Sequence, residues 1–390
     1  MMRISIHPAW TFVSDSGEKV DPMLFDLLAA IHDHGKLTLA ARHVDLSYRY
    51  AWELLERWRR FFGAPLVRKQ RGRGATLSAL GEKLLWAEQR TDANLFPQLT
   101  NIASELNLEI GRALRESRAV LQIRASHGYA VEKLPELMQR HGHAAVDLQY
   151  MGSASALASL ARSGCDMAGF HVPRGALAPV VWAQYARWLR GRQHRIVRLV
   201  TRTQGLMMAR GNPRRIESLR DLTRARVRFV NRQSGSGTRL LLDALLAREG
   251  VDARRIHGYD SGEFTHAAVA AFVASGMADV GFGVEPAARQ FKLAFVPIVG
   301  ERYFLACRAD SLEREPLREL VALLREPAYR AMIEPVPGYA LDEPGTIHTV
   351  QQAMQGFDTA GTPGTGIARS SPRARRTAPV TGRARASRVS

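Results

Sequence analysis

The periodicities along the 390 residues predict a multidomain chain: a mainly α N-terminal part, one long linker helix, and a C-terminal α/β part of two lobes. Three observations predict it. Apolar residues recur at three- and four-residue spacing through the first third of the chain. From Ala119 onward, short apolar runs alternate with amphipathic stretches. The last segment then loses its large apolar residues. The expected divisions are an N-terminal segment at 1–19, a helical domain at 20–80, a linker helix at 81–117, an α/β domain at 118–357 and a basic tail at 358–390.

Residues 37–68, LTLAARHVDLSYRYAWELLERWRRFFGAPLVR, read as two helices about a tight turn. Ala40 and Ala41 are small enough to let the helices cross closely, while Val44 and Leu46 supply apolar contacts at the turn. Ser47 stands at an N-cap position, its hydroxyl placed to accept a free backbone N–H. Tyr48, Ala51, Trp52, Leu55, Trp58 and Phe62 follow at spacings that put them on one face. The segment 66–77, LVRKQRGRGATL, has a strand, a tip punctuated by Gly72 and Gly74, and a returning strand. This is the layout of a winged helix-turn-helix, whose second helix enters a major groove and whose wing meets phosphates or a minor groove. The expected DNA contacts are Thr38, Ser47, Tyr48, Arg49, Tyr50, Glu53 and Arg57, with Arg68, Arg71 and Arg73 in the wing. An ordinary helical hairpin with a solvated basic face has the same amphipathic pattern. Eight basic residues against two acids between Ser47 and Thr76 favour the DNA reader.

Residues 78–116 follow as a helical region with a stripe at Leu95, Leu99, Ile102, Leu106, Ile110 and Leu114. Pro97 is expected to kink or restart it. The stripe either packs on its own domain or forms a homodimer, and a dimer doubles the DNA contact.

In the α/β part, AVLQIRAS, VDLQYMGS, DMAGFHV, IVRLVTR, RVRFVNRQ, ADVGFGV and FKLAFVPIV are strand candidates. LPELMQR, ALASLAR, GTRLLLDALLAREG, THAAVAAFVASG and PLRELVALLRE are helix candidates, and the alternation argues for mostly parallel sheets. One lobe would span 119–201 and be completed by 302–350, the other 203–300. Between a strand and a helix lies Asn231-Arg232-Gln233-Ser234-Gly235-Ser236-Gly237-Thr238-Arg239. Glycines let backbone approach a ligand closely, and N–H groups at a helix start favour negative charge. With the strand-end groups, the candidate ligand set is Ser126, His127, Ser153, His171, Arg202, Gln204, Ser234, Gly235, Ser236, Gly237, Thr238 and Arg239. The bland alternatives are a Gly-rich turn with Ser and Thr as caps, and structural histidines at His127, His171 or His266. GxxxxGK[ST] is absent, and no GxGxxG with an acidic partner appears.

The +18 formal charge suits nucleic acid, although the basic residues are nearly all Arg and the tail carries seven of them. Cys165 and Cys307 are too few for a disulfide framework or a four-ligand zinc site and are expected as reduced core residues. No apolar run is long enough to span a membrane, and the first residues do not read as a secretory signal. No acid–base pair or nucleophile–His arrangement stands out, so no catalytic residue and no metal site is assigned.

The AA pair, the Ser opening the recognition helix, FFGAPLVR and the later TLSALGEKLL resemble LysR-type regulators, and SYRYAWELLERW resembles the DNA-binding domain of ModE-type molybdate-responsive regulators. Arg49 and Tyr50 depart from the small or Pro residues of many LysR proteins, so the operator cannot be carried over. GSASALASLARSGCDMAGFHVP, LVTRTQGLMMARGNPRRIESLRDL, RFVNRQSGSGTRLLLDALL and THAAVAAFVASGMADVGFGVEPAA resemble the PBP-like domain, a relative of periplasmic binding proteins. The resemblance implies a cytoplasmic, dimeric, ligand-responsive regulator of double-stranded DNA, with no covalent cofactor. Its implied effector is molybdate, tungstate or a molybdenum-cofactor-related molecule. Ser126 and Ser153 would bond oxyanion oxygens, Arg202 and Arg239 would supply charge, and SGSGT its N–H groups. The rival is an α/β enzyme of small-anion or pterin metabolism tethered to DNA.

The tail lacks core-forming residues and is expected to be disordered. Removing 358–390 should therefore leave the melting temperature unchanged while lowering non-specific DNA affinity at low salt. A large fall in melting temperature on truncation would contradict this reading.

Overall fold

The computed structural model describes residues 4–15, 17, 19, 20, 23–70, 74–113 and 119–355. Arg71 and Arg73 of the wing tip, Leu114 of the stripe and the tail at 358–390 lie outside the described residues.

Apolar spacing builds the N-terminal helices and local caps close them. α1 (Met23–His34), α2 (Leu37–His43) and α3 (Tyr48–Phe62) meet around Leu27, Leu28, Ile31, Ala40, Ala41, Leu54 and Trp58. Ser47 Oγ accepts the Tyr50 N–H at 3.1 Å, and Gly63 ends α3 at φ 67° in the left-handed region. The buried face of α3 is Ala51, Leu54, Leu55 and Trp58. Tyr48 corrects the sequence reading: it is 49% exposed, because it opens the helix beyond the edge of the packed face. A hairpin follows, β1 (Val67–Gln70) and β2 (Gly74–Leu77), with Val67 opposite Leu77. α4 (Ala79–Ala113) then runs through Pro97 as one helix rather than restarting there.

The α/β part comprises, in chain order, β3 (Val120–Ala125), α5 (Tyr129–Glu132), α6 (Leu134–Arg140), β4 (Ala145–Tyr150), α7 (Ser153–Ala161) and β5 (Met167–Pro173). α8 (Ala178–Tyr185), β6 (His194–Met208), β7 (Phe229–Arg232), α9 (Gly237–Glu249), β8 (Gly262–Glu263), α10 (His266–Ala274) and β9 (Val280–Val284) follow. α11 (Glu285–Gln290), β10 (Ala294–Arg308), α12 (Glu315–Leu323), α13 (Pro327–Ile333), β11 (Tyr339–Leu341), β12 (Ile347–Thr349) and α14 (Val350–Gln355) complete it. The sheet order is β4-β3-β5-β10-β6-β9-β7-β8, with β11 and β12 pairing β6.

The expectation of mostly parallel sheets holds for the outer strands only. β3 pairs β4 and β5 in parallel, and β7 pairs β8 and β9 in parallel. The centre is antiparallel, because β6 and β10, 15 residues each, pass from one lobe to the other side by side. Each lobe has apolar clusters on both faces of its strands, around Leu121, Ile123 and Tyr303 or Phe170 and Trp182 in lobe I, and around Leu242 and Phe282 or Val269 and Ala288 in lobe II. Gly205 marks the crossing in β6: a Cβ there would stand 2.1 Å from the Val296 carbonyl oxygen. Cys165 and Cys307 are buried free thiols. Among the described residues, no helix is long and apolar enough to cross a membrane.

Glu88 and Asp92 lie one turn apart on α4, with Asp26 of α1 as a further negative charge. Burial, and then Asp92, push the half-buried Glu88 carboxyl from 4.5 up to about 7. In that window the folded chain holds a proton that the unfolded chain releases. The contribution is thus fully present below the unfolded value and lost as pH rises through the folded one. Glu88→Gln should flatten the fall of melting temperature between about pH 4.5 and 7. An unchanged slope would remove Glu88 from this role.

Candidate functional site

A cavity of about 360 Å³ opens between the lobes and is lined by residues from several strand ends and by α4. Its volume falls within the range of small-molecule sites, roughly 300–1,000 Å³.

From lobe I, the segment after β3 brings Ser126 and His127, the end of β4 brings Tyr150, and β5 brings His171. The Ser126 and Ser153 hydroxyls are 3.1 Å apart, and Tyr303 donates to the Ser126 carbonyl at 2.9 Å. Lobe II supplies Arg232 at the end of β7 and then Gln233, Ser234, Gly235, Ser236, Gly237 and Thr238. Ser236 caps α9, its Oγ accepting the Arg239 N–H at 3.2 Å. The starts of α7 and α9 thus approach one another across the cavity: a Cβ on Gly152 would stand 3.2 Å from the Gly235 carbonyl oxygen. Two helix N-termini on one space favour negative charge there.

The two guanidiniums in the cavity differ in their partners. Arg202 pairs through Nε with Glu301, which also accepts from Gln204 Nε2 at 2.8 Å. Burial alone would lower Arg202, but Glu301 outweighs it and holds the group above its ordinary range. Arg232 is 8% exposed, and among the described residues its guanidinium donates only to the backbone carbonyls of Glu263 and Phe264, at 3.2 and 2.6 Å. Among the described residues no carboxylate pairs with it. Burial, and then the charge of Arg202, push it down to about 9. A buried cation without a counter-charge is costly unless an anion enters beside it.

The histidines are electrically silent. Burial, then Arg232 and Arg202, push His127 down to about 3. His171 and His266 lie well below their ordinary range for the same reasons. Near neutral pH each ring therefore offers one N–H and one acceptor nitrogen. Among the described residues, His171 Nε2 is buried without a hydrogen-bond partner.

The sequence-predicted ligand residues divide accordingly. Ser126, His127, His171, Arg202, Ser234, Gly235, Ser236, Gly237 and Thr238 line the cavity. Ser153 stands behind Ser126 as its hydroxyl partner. Two assignments are corrected. Gln204 is fully buried and spends its amide on Glu301. Arg239, on the flank of α9, turns to Asp243 at 3.2 Å, the Tyr259 carbonyl at 3.0 Å and the Tyr259 ring. The i to i+4 spacing along α9 puts the Asp243 carboxylate within its reach.

Sequence reasoning missed Arg232, Tyr150, Phe264 and His266 as lining residues, and Pro97, Gln98 and Asn101 of α4. Arg232 had a usable signal: a charged residue ending a strand that is buried along its whole length, directly before the glycines. The α4 residues had none.

The second candidate surface is the outer side of the helix-turn-helix. Thr38, Ser47, Tyr48, Arg49, Tyr50, Glu53, Arg57 and Arg68 are all exposed. Arg49 bonds Glu53 at 3.0 Å, one turn along α3.

Residues 134–325 match the PBP_like family, described as the PBP superfamily domain. "Uncharacterized protein YvgK" of Bacillus subtilis (strain 168) is 31% identical over 191 residues, 49% of this chain and 61% of that protein. "Uncharacterized protein in ferredoxin 2Fe-2S gene 5'region" of Clostridium pasteurianum is 33% identical over 111 residues, 28% of this chain and 98% of that protein. "Molybdenum-pterin-binding protein MopB" of Rhodobacter capsulatus is 37% identical over 93 residues, 23% of this chain and 34% of that protein. The chain thus spans 61% of the length of the Bacillus relative and 34% of the Rhodobacter one. The lobed α/β part built on two shared strands, with a winged helix-turn-helix ahead of it, thus carries a PBP superfamily domain at residues 134–325.

Proposed function

We propose that this protein is a ligand-responsive DNA-binding transcription regulator of the LysR and ModE type, acting in the cytoplasm as a homodimer on double-stranded DNA. Its α/β domain senses a small anion. The observation that carries the sensor half is Arg232, a buried guanidinium without a carboxylate among the described residues, beside two helix N-termini and neutral histidines. An anion in the cavity supplies the missing counter-charge and accepts hydrogen bonds from Ser126, the 234–238 backbone and a histidine.

Molybdate, tungstate or a molybdenum-cofactor-related molecule is the proposed effector. The relative MopB, a molybdenum-pterin-binding protein, supports that class. The volume of about 360 Å³ exceeds what one tetrahedral oxyanion occupies, which favours an organic anion or an oxyanion with its water.

The proposed reading face is Thr38, Ser47, Tyr48, Arg49, Tyr50, Glu53 and Arg57, with Arg68, Arg71 and Arg73 on the phosphates. Arg49 is 90% exposed and can leave Glu53 for a base edge at little cost. Exposed apolar residues on α4, Ile102 and Leu106 among them, support dimerisation through that helix.

Two outcomes are expected. Arg49→Ala should cost on the order of 1–3 kcal/mol in discrimination between duplex sequences, while Arg68→Ala weakens all duplexes alike and lowers the salt slope. Unchanged relative preference in Arg49→Ala, measured by competition binding, would move the reading face elsewhere. In thermal-shift titrations against oxyanions and pterin compounds, a ligand should raise the melting temperature by mass action. Arg232→Met should abolish that shift and Arg239→Ala should retain it. An equal shift in Arg232→Met, or turnover of the ligand in calorimetry, would overturn the sensor.

A further inference from the structure

Helix α4 is held by both lobes. Lobe I holds it at Asn101, whose Oδ1 accepts the Tyr150 N–H at 2.7 Å and whose Nδ2 donates to the Tyr150 carbonyl at 3.2 Å. Ser104 adds a bond of 2.6 Å to Asp147. Lobe II holds it earlier in the helix. Arg90 donates to Glu263 Oε1 at 2.7 and 3.1 Å, and Asn94 donates to Glu263 Oε2 at 2.7 Å. From Arg90 to Ser104 the two grips together span roughly 20 Å of the helix axis, at the rise of about 1.5 Å per residue.

Pro97 lies between the grips and explains one of them. A proline has no N–H, so the carbonyl four residues earlier, on Ala93, loses its helical partner. That carbonyl accepts from Thr265 Oγ1 at 2.9 Å, and Thr265 is the N-cap of α10 in lobe II. The proline that ought to weaken the helix exposes an acceptor, and lobe II uses it.

The same stretch of lobe II faces the cavity. The carbonyls of Glu263 and Phe264 accept from Arg232, while the Glu263 carboxylate, buried and turned the other way, is taken by Arg90 and Asn94. Pro97, Gln98 and Asn101 themselves line the cavity. At its other end α4 enters the helix-turn-helix core through Leu85. Trp86 lies 5.7 Å from Phe291, and Lys292 reaches Asp33 of α1 at 2.8 Å.

We propose that α4 is itself a wall of the effector site and a strut pinned to both lobes, with Glu263 and Pro97 as its positioning residues. An anion drawn to Arg232 then acts on the 263–265 segment that grips α4, and through α4 on the helix-turn-helix. The proposal rests on the anion-sensor reading and adds the route by which the ligand is felt.

The test is backbone hydrogen exchange on the full chain with sodium molybdate as probe. In the wild type, molybdate should slow exchange in 233–238 and also in 90–104, the latter by about tenfold, within the usual range of coupling between sites. In Glu263→Gln, and in Arg90→Ala as the less buried alternative, molybdate should still protect 233–238 but no longer 90–104. Pro97→Ala, which restores the N–H toward Ala93, should likewise reduce the protection of 90–104. Protection of 233–238 without 90–104 in the wild type, or equal protection of 90–104 in the variants, would overturn the strut. Failure of molybdate to protect 233–238 counts against molybdate as effector. The strut is then read without ligand: exchange of 90–104 must still be faster in Glu263→Gln than in wild type, and no difference overturns it.

Discussion

The antiparallel ladder of β6 against β10 runs from His194 opposite Arg308 to Met208 opposite Ala294, and both lobes are assembled on it. Its two ends carry the remaining strands of lobe I and lobe II in one continuous sheet. The register shifts between Pro297 and Val299 and between Tyr303 and Phe304 flank the place where the chain passes between lobes. Arg202, Gln204 and Glu301 lie at that crossing. A continuous ladder leaves few unpaired backbone groups at the floor of the cavity, so the polar groups presented there are chosen side chains and helix starts.

Charge around that floor is divided unequally. Arg202 is compensated by Glu301, while Arg232 is left with backbone carbonyls alone. Carbonyl dipoles satisfy its donors but do not neutralise it. The three histidines cannot compensate either, because burial and two adjacent guanidiniums keep them uncharged. The cavity therefore carries an excess of positive potential in a low-dielectric setting, which favours negative charge there more than any single hydrogen bond does.

α4 joins this electrostatic site to the helix-turn-helix in physical terms. Its polar side chains at 90, 94, 101 and 104 recur at helical spacing and are all spent on the lobes. Ile102 and Leu106 remain exposed on other faces. One helix thus has a face committed within the chain and apolar residues exposed on its other faces.

Much of the architecture was legible from residue order, for local reasons. Ser47 caps α3 because a hydroxyl before an amphipathic run meets its own N–H groups, and the 234–238 glycines and hydroxyls mark a strand-to-helix turn wherever they stand. Burial of Ala51, Leu55 and Trp58 followed from spacing, whereas Tyr48 is exposed and Leu54 is buried on that face. Arg239 was misread because spacing cannot tell a helix flank from its axis, and Asp243 one turn on claimed it. Arg232 sat inside the quoted motif, yet its importance arises from what is missing around it, and the absence of a carboxylate exists only in three dimensions. Likewise Pro97 read as a break in a helix. Only tertiary structure brought Thr265, from 172 positions along the chain, to the Ala93 carbonyl that the proline had freed. Sequence alone determined the elements, their caps and the anion-favouring turn, since these are set by neighbours within a few residues. Which charges are left unpaired and which wall closes the cavity was decided by the fold, because both depend on groups brought together from distant parts of the chain.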